Sequence, residues 1–183
     1  ICPSGAYCRE DRCQSFFKFS LIPTMRAPLE ECQMAGAITQ AGGDAKIIDS
    51  PANNYNENNF FEELKSYQPD LIILATTFGA LVDDLAWAKK IKKLYPDVPL
   101  GLRGAPCYVN ARQILNENSI IDFCLRGDYE LVANYLITKG LEDLPGCTYR
   151  FNQEIISNNN ILFADNLDDL AFPDRSSLKQ NAY

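Results

Sequence analysis

The stretch DLIILATT at residues 70–77 decides the fold, because it is an unbroken apolar run between two segments of helical pattern. A strand that is apolar throughout is typical of a parallel sheet that is covered on both faces. The flanking segments ENNFFEELKSY (57–67) and LVDDLAWAKKIKKLY (81–95) have the spacing of amphipathic helices. This part of the chain therefore predicts a buried strand with helices before and after it.

The same alternation continues in both directions from this run. Four further strands are predicted at FFKFSLI (16–22), DAKIID (44–49), VPLGLRG (98–104) and IIDFCLRG (120–127), and three further helices at 28–43, 109–118 and 128–140. Five consecutive βα units predict an α/β fold, a Rossmann-like (flavodoxin-like) five-stranded parallel sheet of order 2-1-3-4-5. After residue 145, two β-rich segments around Asn152–Gln153 predict a C-terminal β-hairpin, and an irregular, aspartate-rich linker follows.

These patterns divide the chain into three parts. Residues 1–15 form an N-terminal lead-in, residues 16–143 the α/β domain, and residues 144–183 the hairpin and linker. Since the chain opens on Ile1 rather than Met, we expect it to be a fragment of a longer protein.

Composition argues against several classes of function. The net charge is −7 with no basic block, so a nucleic-acid partner is not expected. No apolar run is long enough for a membrane span, and no signal segment is recognisable. Seven scattered cysteines favour reduced thiols and a cytoplasmic location. The absence of histidine excludes Ser-His-Asp and Cys-His catalysis and any histidine metal ligand from this chain.

Three of the cysteines, Cys2, Cys8 and Cys13, fall close together in ICPSGAYCREDRC. Their spacing lacks the paired C-x-x-C units of a structural zinc site. A metal site remains the alternative, but the spacing favours a packing segment, or a lid if the lead-in folds back over the sheet's carboxyl edge.

Candidate binding residues come from the loops at the carboxyl ends of the predicted strands, where open parallel sheets bind their ligands. They are Thr24, Met25 and Arg26 after the first strand, Thr76, Thr77 and Gly79 after the third, Arg103, Gly104 and Ala105 after the fourth, and Gly127, Asp128 and Glu130 after the fifth. The structural alternatives are a helix cap at Thr76–Thr77, a turn glycine at Gly104 and a surface ion pair between Arg126 and Glu130. Only their joint placement at one sheet edge favours a binding site. A dinucleotide G-x-G-x-x-G is absent after the first strand.

A resemblance to a known family rests on an ordered set of segments rather than on one motif. The segments are RAPLEECQMAGAITQAGGDAKIIDSPA, PDLIILATT, IKKLYPDVPLGLRGAP, DFCLRGDYELVANYL, LPGCTYRFNQEIISN and NLDDLAFPDRS. In this order they resemble the N-terminal cobalamin-binding domain of radical S-adenosylmethionine enzymes, over nearly the whole chain. The cobalamin signature D-x-H-x-x-G is absent after the first strand, which reads PTMRAP.

The resemblance implies that cobalamin lies over the carboxyl edge of the sheet. The family's tail-contacting positions correspond to Thr76, Thr77, Arg103 and Gly104, and the position after the fifth strand corresponds to Gly127, with Asp128 and Glu130 as its acidic residues. Because the chain has no histidine, cobalamin would be held without a histidine lower ligand, for methyl transfer or radical chemistry in the full-length protein.

The resemblance further implies a partner within the same parent chain. That partner is a radical S-adenosylmethionine barrel, which would bind S-adenosylmethionine and a [4Fe-4S] cluster and act on a small-molecule or peptide substrate. The present chain holds no C-x-x-x-C-x-x-C motif, so the cluster chemistry is expected outside it. The alternative is a degenerate domain of the same fold, with Arg103 in place of a family glycine, which no longer binds cobalamin and serves as a structural or substrate-gating module.

Overall fold

The computed structural model describes residues 27–183, apart from the side chains of Tyr129 and Gln180. The predicted strand at 16–22, the candidate residues Thr24, Met25 and Arg26, and the three cysteines of the lead-in lie outside this range. The helices are α1 (Leu29–Gln40), α2 (Ser50–Asn53), α3 (Glu57–Tyr67), α4 (Leu81–Leu94), α5 (Ala105–Glu117) and α6 (Tyr129–Lys139). The strands are β1 (Ile72–Ala75), β2 (Leu100–Arg103), β3 (Phe123–Leu125), β4 (Cys147–Phe151) and β5 (Glu154–Ser157).

The described residues form one mixed sheet of order β1-β2-β3-β4-β5. Strands β1, β2 and β3 are parallel, as predicted, and the register pairs Ala75 with Arg103 and Arg103 with Leu125. The carboxyl ends of these three strands are therefore level, and the loops that follow them share one edge. Open parallel sheets commonly bind their ligands at such an edge.

The position of the hairpin in the sheet differs from the prediction. It forms where the sequence predicts it, with Asn152 and Gln153 both at positive φ, as a type I′ turn requires. It is not an appendage, however, because β4 pairs antiparallel with β3 and extends the sheet. The short connection after α6 delivers β4 to the edge of β3, whose backbone groups need a partner. The predicted neighbours 3-4-5 are found as β1-β2-β3, but the sheet is mixed rather than purely parallel. The predicted order 2-1-3-4-5 is wrong in placing strand 2 in the sheet, and predicted strand 1 lies outside the described residues.

Residues 44–48 also differ from the prediction, because they form no strand. The backbone N–H of Ile47 donates to Ser177 Oγ at 3.1 Å, so the C-terminal segment provides this stretch with a hydrogen-bond partner. Directly afterwards, Asp49 caps the short helix α2 by accepting from the Ala52 N–H. The apolar pattern of 44–48 still produces burial, since Ile47 and Ile48 are buried.

Helices cover both faces of the sheet, which confirms the prediction from the apolar run at 70–77. On one face, α3, α4 and α5 bury a cluster that includes Phe60, Ile91 and Ile114. On the other face, α1 and α6 bury Met34 and Val132 against β3 and β4. No helix within residues 27–183 has the length and apolar character needed to cross a membrane.

Candidate functional site

A cleft of about 500 Å³ lies at the carboxyl ends of β2 and β3, bounded on one side by α1. We call it the edge cleft; its lining residues are Glu30, Gln33, Phe78, Gly104, Ala105, Tyr108, Val109, Gly127, Asp128 and Glu130. Five of the candidate residues predicted from the sequence, from Gly104 to Glu130, are thus brought together. The carboxyl edge of a parallel sheet is where such folds bind ligands.

Gly104 has a clear structural reason to be glycine. Its φ is +118°, and a Cβ atom there would lie 2.0 Å from the carbonyl oxygen of Thr76. The backbones approach this closely because the Thr76 N–H donates to the Arg103 carbonyl at 2.9 Å. Any side chain at Gly104 would therefore disturb the end of the β1–β2 pair, so this position shapes the cleft wall through the backbone.

Tyr108 joins the two loops that form the cleft, and sequence reasoning missed it. Its hydroxyl accepts from the Gly127 N–H at 2.8 Å and donates to the Gly127 carbonyl at 3.0 Å. The missed signal lies in the helix boundary: the helix was predicted from residue 109, but α5 begins at Ala105, where Pro106 suits a first turn. With that start, Tyr108 lies one turn into the helix, beside the next loop.

Asp128 connects the cleft to the C-terminal linker. Its Oδ2 accepts from the Ala164 N–H at 3.0 Å, and its own N–H donates to the Leu162 carbonyl at 3.2 Å. The linker therefore runs along the loop after β3. The suggested ion pair between Arg126 and Glu130 is not formed within residues 27–183, because the Arg126 guanidinium donates instead to the carbonyls of Gly146 and Asn158.

Two helices begin at the edge cleft. Gly104 and Asp128 are the N-cap residues of α5 and α6, and neither helix has a side-chain cap among the described residues. The first N–H groups of a helix have no acceptor within the helix, and they carry its partial positive charge. At α5 such donors are few, because Pro106 has no N–H and the Cys107 N–H donates to the Gly104 carbonyl at 2.9 Å. The helix is also interrupted at Asn110, whose backbone is not helical. The cleft thus combines a small number of backbone donors with carboxylate acceptors on Glu30, Asp128 and Glu130.

The side of the cleft towards solvent is aromatic and aliphatic. Phe78, Tyr108 and Val109 are exposed although they are large apolar or aromatic residues. Exposed apolar side chains grouped around a cleft are a common sign of a ligand surface. The arrangement suits a ligand that has an apolar face and polar substituents at its edge.

Arg103 does not line the edge cleft, although its place at the end of a predicted strand suggests a ligand contact. The residue is only 4% exposed, and its two terminal nitrogens each lie 2.5 Å from a carboxylate oxygen, on Glu30 and on Glu31. Burial alone would raise the pKa of Glu31, but the charge and hydrogen bond of Arg103 hold it below its ordinary value. Arg103 therefore fastens the start of α1 to the end of β2.

Arg103 also borders a second cavity, of about 590 Å³, between the sheet and helices α1 and α6. Apolar side chains such as Met34, Ile38, Ile73 and Leu136 contribute much of its lining. Arg103 is not among the residues that line the edge cleft.

Thr76, Thr77 and Gly79 form the turn after β1 and do not line the edge cleft, although Phe78 between them does. The Thr77 carbonyl accepts from the N–H groups of Ala80 and Leu81 at 3.1 and 2.9 Å. The N-cap of α4 is Ala80, without a side-chain cap, so the suggested capping role of the two threonines is wrong.

Asp84, which sequence reasoning also missed, is a buried carboxyl next to this turn. It is 6% exposed, and its Oδ2 has no hydrogen-bond partner among the described residues. Burial raises the pKa of Asp84 to about 7; a hydrogen bond from Thr76 opposes this rise and the charge of Asp83 adds to it. The sequence does contain a signal for the burial of Asp84. Positions 84, 88 and 91 lie on one face of the helix, and Ala88 and Ile91 are apolar.

The described cysteines have the character of packing residues. Cys32, Cys107, Cys124 and Cys147 are free and buried. The hydrogen bond with Cys107, together with burial, raises the pKa of Cys124, and burial raises that of Cys147 to about 12. Within residues 27–183 no group of histidine, cysteine or acidic side chains is arranged to hold a metal ion.

Comparison with known proteins gives one informative similarity. No family model matches the chain. An uncharacterized methyltransferase of Pyrococcus horikoshii is 24% identical over 168 residues, which cover 89% of this chain and 36% of that protein. The chain thus spans about a third of the length of this curated relative. It has an α/β fold and is similar to part of a protein named as a methyltransferase.

Proposed function

We propose that this chain is a cobalamin-binding domain of a radical S-adenosylmethionine enzyme, and that it holds the corrinoid for methyl transfer or related radical chemistry. The observation that carries the proposal is the edge cleft, which unites five residues predicted from the sequence at the carboxyl ends of two parallel strands. The similarity to part of a methyltransferase supports the same class of chemistry.

The residues of the edge cleft fit the chemical nature of cobalamin. The corrin is a flat, largely apolar macrocycle with carboxamide side chains around its edge. Phe78, Tyr108 and Val109 offer apolar and aromatic surface, while the helix starts and carboxylates offer hydrogen-bond donors and acceptors. No imidazole from this chain can act as the lower ligand, because the chain contains no histidine.

When bound, the cofactor supplies a cobalt centre that can carry a methyl group; the protein supplies position and electrostatics. Tyr108 would keep the loops after β2 and β3 in one arrangement through its two bonds to Gly127. Phe78 and Val109 would exclude water from the face that they cover. Thr76 and Thr77 remain proposed contacts for the nucleotide tail, and Gly79, Thr24, Met25 and Arg26 remain proposed contacts for the cofactor.

The partner in this proposal is a radical S-adenosylmethionine barrel in the remainder of the parent chain. It would hold S-adenosylmethionine and a [4Fe-4S] cluster and accept a small-molecule or peptide substrate. The chain corresponds to 36% of its relative, which leaves room for such a domain. The free buried thiols are compatible with a cytoplasmic protein.

A matched pair of tryptophan variants tests the location of the site. Ala105 is exposed and lines the edge cleft, whereas Val82 is exposed on α4 and does not line it. In a visible-absorbance titration with hydroxocobalamin, Ala105→Trp should weaken binding at least about tenfold, because the indole fills the cleft. Val82→Trp should match the wild type; equal affinity of all three proteins would contradict the site. Gly104→Trp is unsuitable, since the new side chain would collide with the Thr76 carbonyl.

Arg103 favours one second candidate, a structural or substrate-gating module without cofactor. Its guanidinium joins Glu30 and Glu31 at the position where the related domains have a glycine. If this second function is correct, titrating the wild-type protein with hydroxocobalamin up to millimolar concentration should produce no absorbance change due to binding.

A further inference from the structure

The cavity of about 590 Å³ between the sheet and helices α1 and α6, which we call the inner cavity, continues the hydrophobic core. Ile38, Leu71 and Leu136 line it, and the same side chains pack against the buried cluster that contains Met34 and Val132. Protein interiors are close-packed and hold few voids larger than a water molecule, whose share of the liquid volume is about 30 Å³. A cavity of this size and lining therefore has room for several apolar side chains.

The inner cavity lies directly beside β1. Ile72 and Ile73 of this strand line it, and so does the segment 46–48. β1 is also the outermost strand of the sheet that the described residues form. An extended segment that ran alongside β1, between this strand and residues 46–48, would therefore fill the cavity.

The chain contains a segment with the composition of such an occupant. FFKFSLI at residues 16–22 has five large apolar residues among seven, and Pro23 directly follows it. Phe17, Phe19 and Leu21 would lie on one face of an extended strand, because side chains alternate between its two faces. This face can supply the apolar side chains for which the inner cavity has room.

The start of α1 sets the direction in which this segment would run. α1 begins at Leu29. Its first turn lies at the carboxyl edge of the sheet, because Arg103 at the end of β2 is ion-paired with Glu30 and Glu31. The connection from residue 22 to residue 29 spans at most about 25 Å even when it is fully extended. It therefore favours a strand that ends at the same edge, and such a strand is parallel to β1.

The charges around the inner cavity also fit this direction. Lys18 lies four residues before the end of the segment, which is about 13 Å along a strand. It would therefore be near the amino end of β1, where Asp44 and Asp70 are among the lining residues. Lys46 at this end is ion-paired with Glu63 at 2.5 Å. The two aspartates can thus pair with the one cation of the segment.

We infer that residues 16–22 occupy the inner cavity as a strand that pairs in parallel with β1, so that the N-terminal part of the chain completes the core. The inference goes beyond the proposed function and does not depend on it, because no cofactor takes part in the contact. It has a consequence for that function, however. Thr24, Met25 and Arg26 belong to the connection to α1, so the same docking brings them to the carboxyl edge of the sheet.

Hydrogen exchange of the wild-type chain, followed by mass spectrometry, provides the first test. Amides of a paired strand must open before they exchange, so residues 16–22 should exchange at least about 100-fold more slowly than an unstructured peptide of the same sequence. Exchange at the unstructured rate would overturn the inference. Protection that is lost on dilution of the protein would assign the contact to a second copy and would overturn it as well.

A matched pair of tryptophan variants tests the location of the contact. Leu136 is partly buried and lines the inner cavity, whereas Leu94 is exposed at the end of α4 and does not line it. Leu136→Trp places an indole in the space that the segment needs, so residues 16–22 should exchange at least about tenfold faster. Leu94→Trp should leave this exchange at the wild-type rate. If Leu136→Trp has no effect in a chain whose residues 16–22 are protected, the segment docks elsewhere and the inference is wrong.

A second pair of variants covers the case in which Leu136→Trp does not fold, as judged by lost protection of β2 and β3. Phe19→Asp places a charge in the apolar segment, so residues 71–75 should exchange at least about tenfold faster while β3 keeps its protection. Tyr7→Asp places the same charge in the lead-in and should leave residues 71–75 unchanged. Equal exchange of residues 71–75 in both variants and in the wild type would contradict docking against β1.

Discussion

At the scale of single residues, Arg103 stabilises the junction between α1 and the sheet. Replacing it by Met removes the buried cation whose charge offsets the burial of Glu31. Breaking such a pair from one side costs about 3–5 kcal/mol, so Arg103→Met should strongly lower the free energy of unfolding in urea. Arg103→Met combined with Glu31→Gln should recover much of this loss; a double variant that shows the plain sum of the two single losses would contradict the coupling.

Asp84 should make the stability of the domain depend on pH. Its folded pKa of about 7 lies above the ordinary value of 3.8, so the folded state binds the extra proton between these values. The contribution of Asp84 is fully present below about pH 4 and is lost as the pH rises through about 7. Asp84→Asn should therefore exceed the wild type in unfolding free energy by on the order of 2 kcal/mol at pH 8 and match it near pH 4.

The neighbouring residue provides the control for this prediction. Asp83 is exposed and adds only its charge to the environment of Asp84. Asp83→Asn should change the pH dependence of unfolding much less than Asp84→Asn does. Identical pH profiles of Asp84→Asn and the wild type would show that the carboxyl of Asp84 ionises normally.

At the scale of elements, α1 and the C-terminal linker depend on each other. A Cβ atom at Gly36 would lie 2.0 Å from the Phe172 carbonyl oxygen, and the Asp174 N–H donates to the Cys32 carbonyl at 2.8 Å. Helix propensity alone would make Gly36→Ala stabilising by about 1 kcal/mol. The collision with the Phe172 carbonyl outweighs this gain in helix propensity. We therefore expect Gly36→Ala to destabilise the folded protein by about 1–3 kcal/mol and to speed amide hydrogen exchange around residue 174.

A substitution on the exposed face of the same helix serves as the control for Gly36→Ala. Thr39 is exposed, so Thr39→Ala should leave hydrogen exchange in the linker unchanged. If Gly36→Ala stabilised the protein, the linker would not lie against α1 in solution.

The elements that the sequence predicted correctly are those with local signals. The apolar run at 70–77, the helical stripes on either side of it and the turn at Asn152–Gln153 each depend on neighbours in the chain, and all appear in the structure. The pairing of β4 with β3 and the replacement of a strand at 44–48 by contacts with Ser177 depend on distant segments. No periodicity within a short window carries that information.

The predictions for the candidate site divide in the same way, into those with local signals and those that depend on distant residues. The loops after β2 and β3 were placed correctly because parallel strands bring their carboxyl ends to one edge. The direction of the Arg103 side chain was not predictable, since it is set by glutamates more than seventy residues away in the chain. Tyr108 was missed because the helix was predicted from residue 109, whereas α5 begins at Ala105. Its first turn is separated from the regular helical pattern by the non-helical backbone of Asn110.

At the scale of the whole molecule, the central claim is that the chain binds cobalamin at the edge cleft. The most direct measurement is equilibrium dialysis of the wild-type chain against hydroxocobalamin, with the bound cofactor quantified by its visible absorbance. We predict saturable, stoichiometric binding, with no protein imidazole bound to cobalt because the chain has no histidine. A bound fraction that stays at zero up to millimolar cobalamin would contradict the claim.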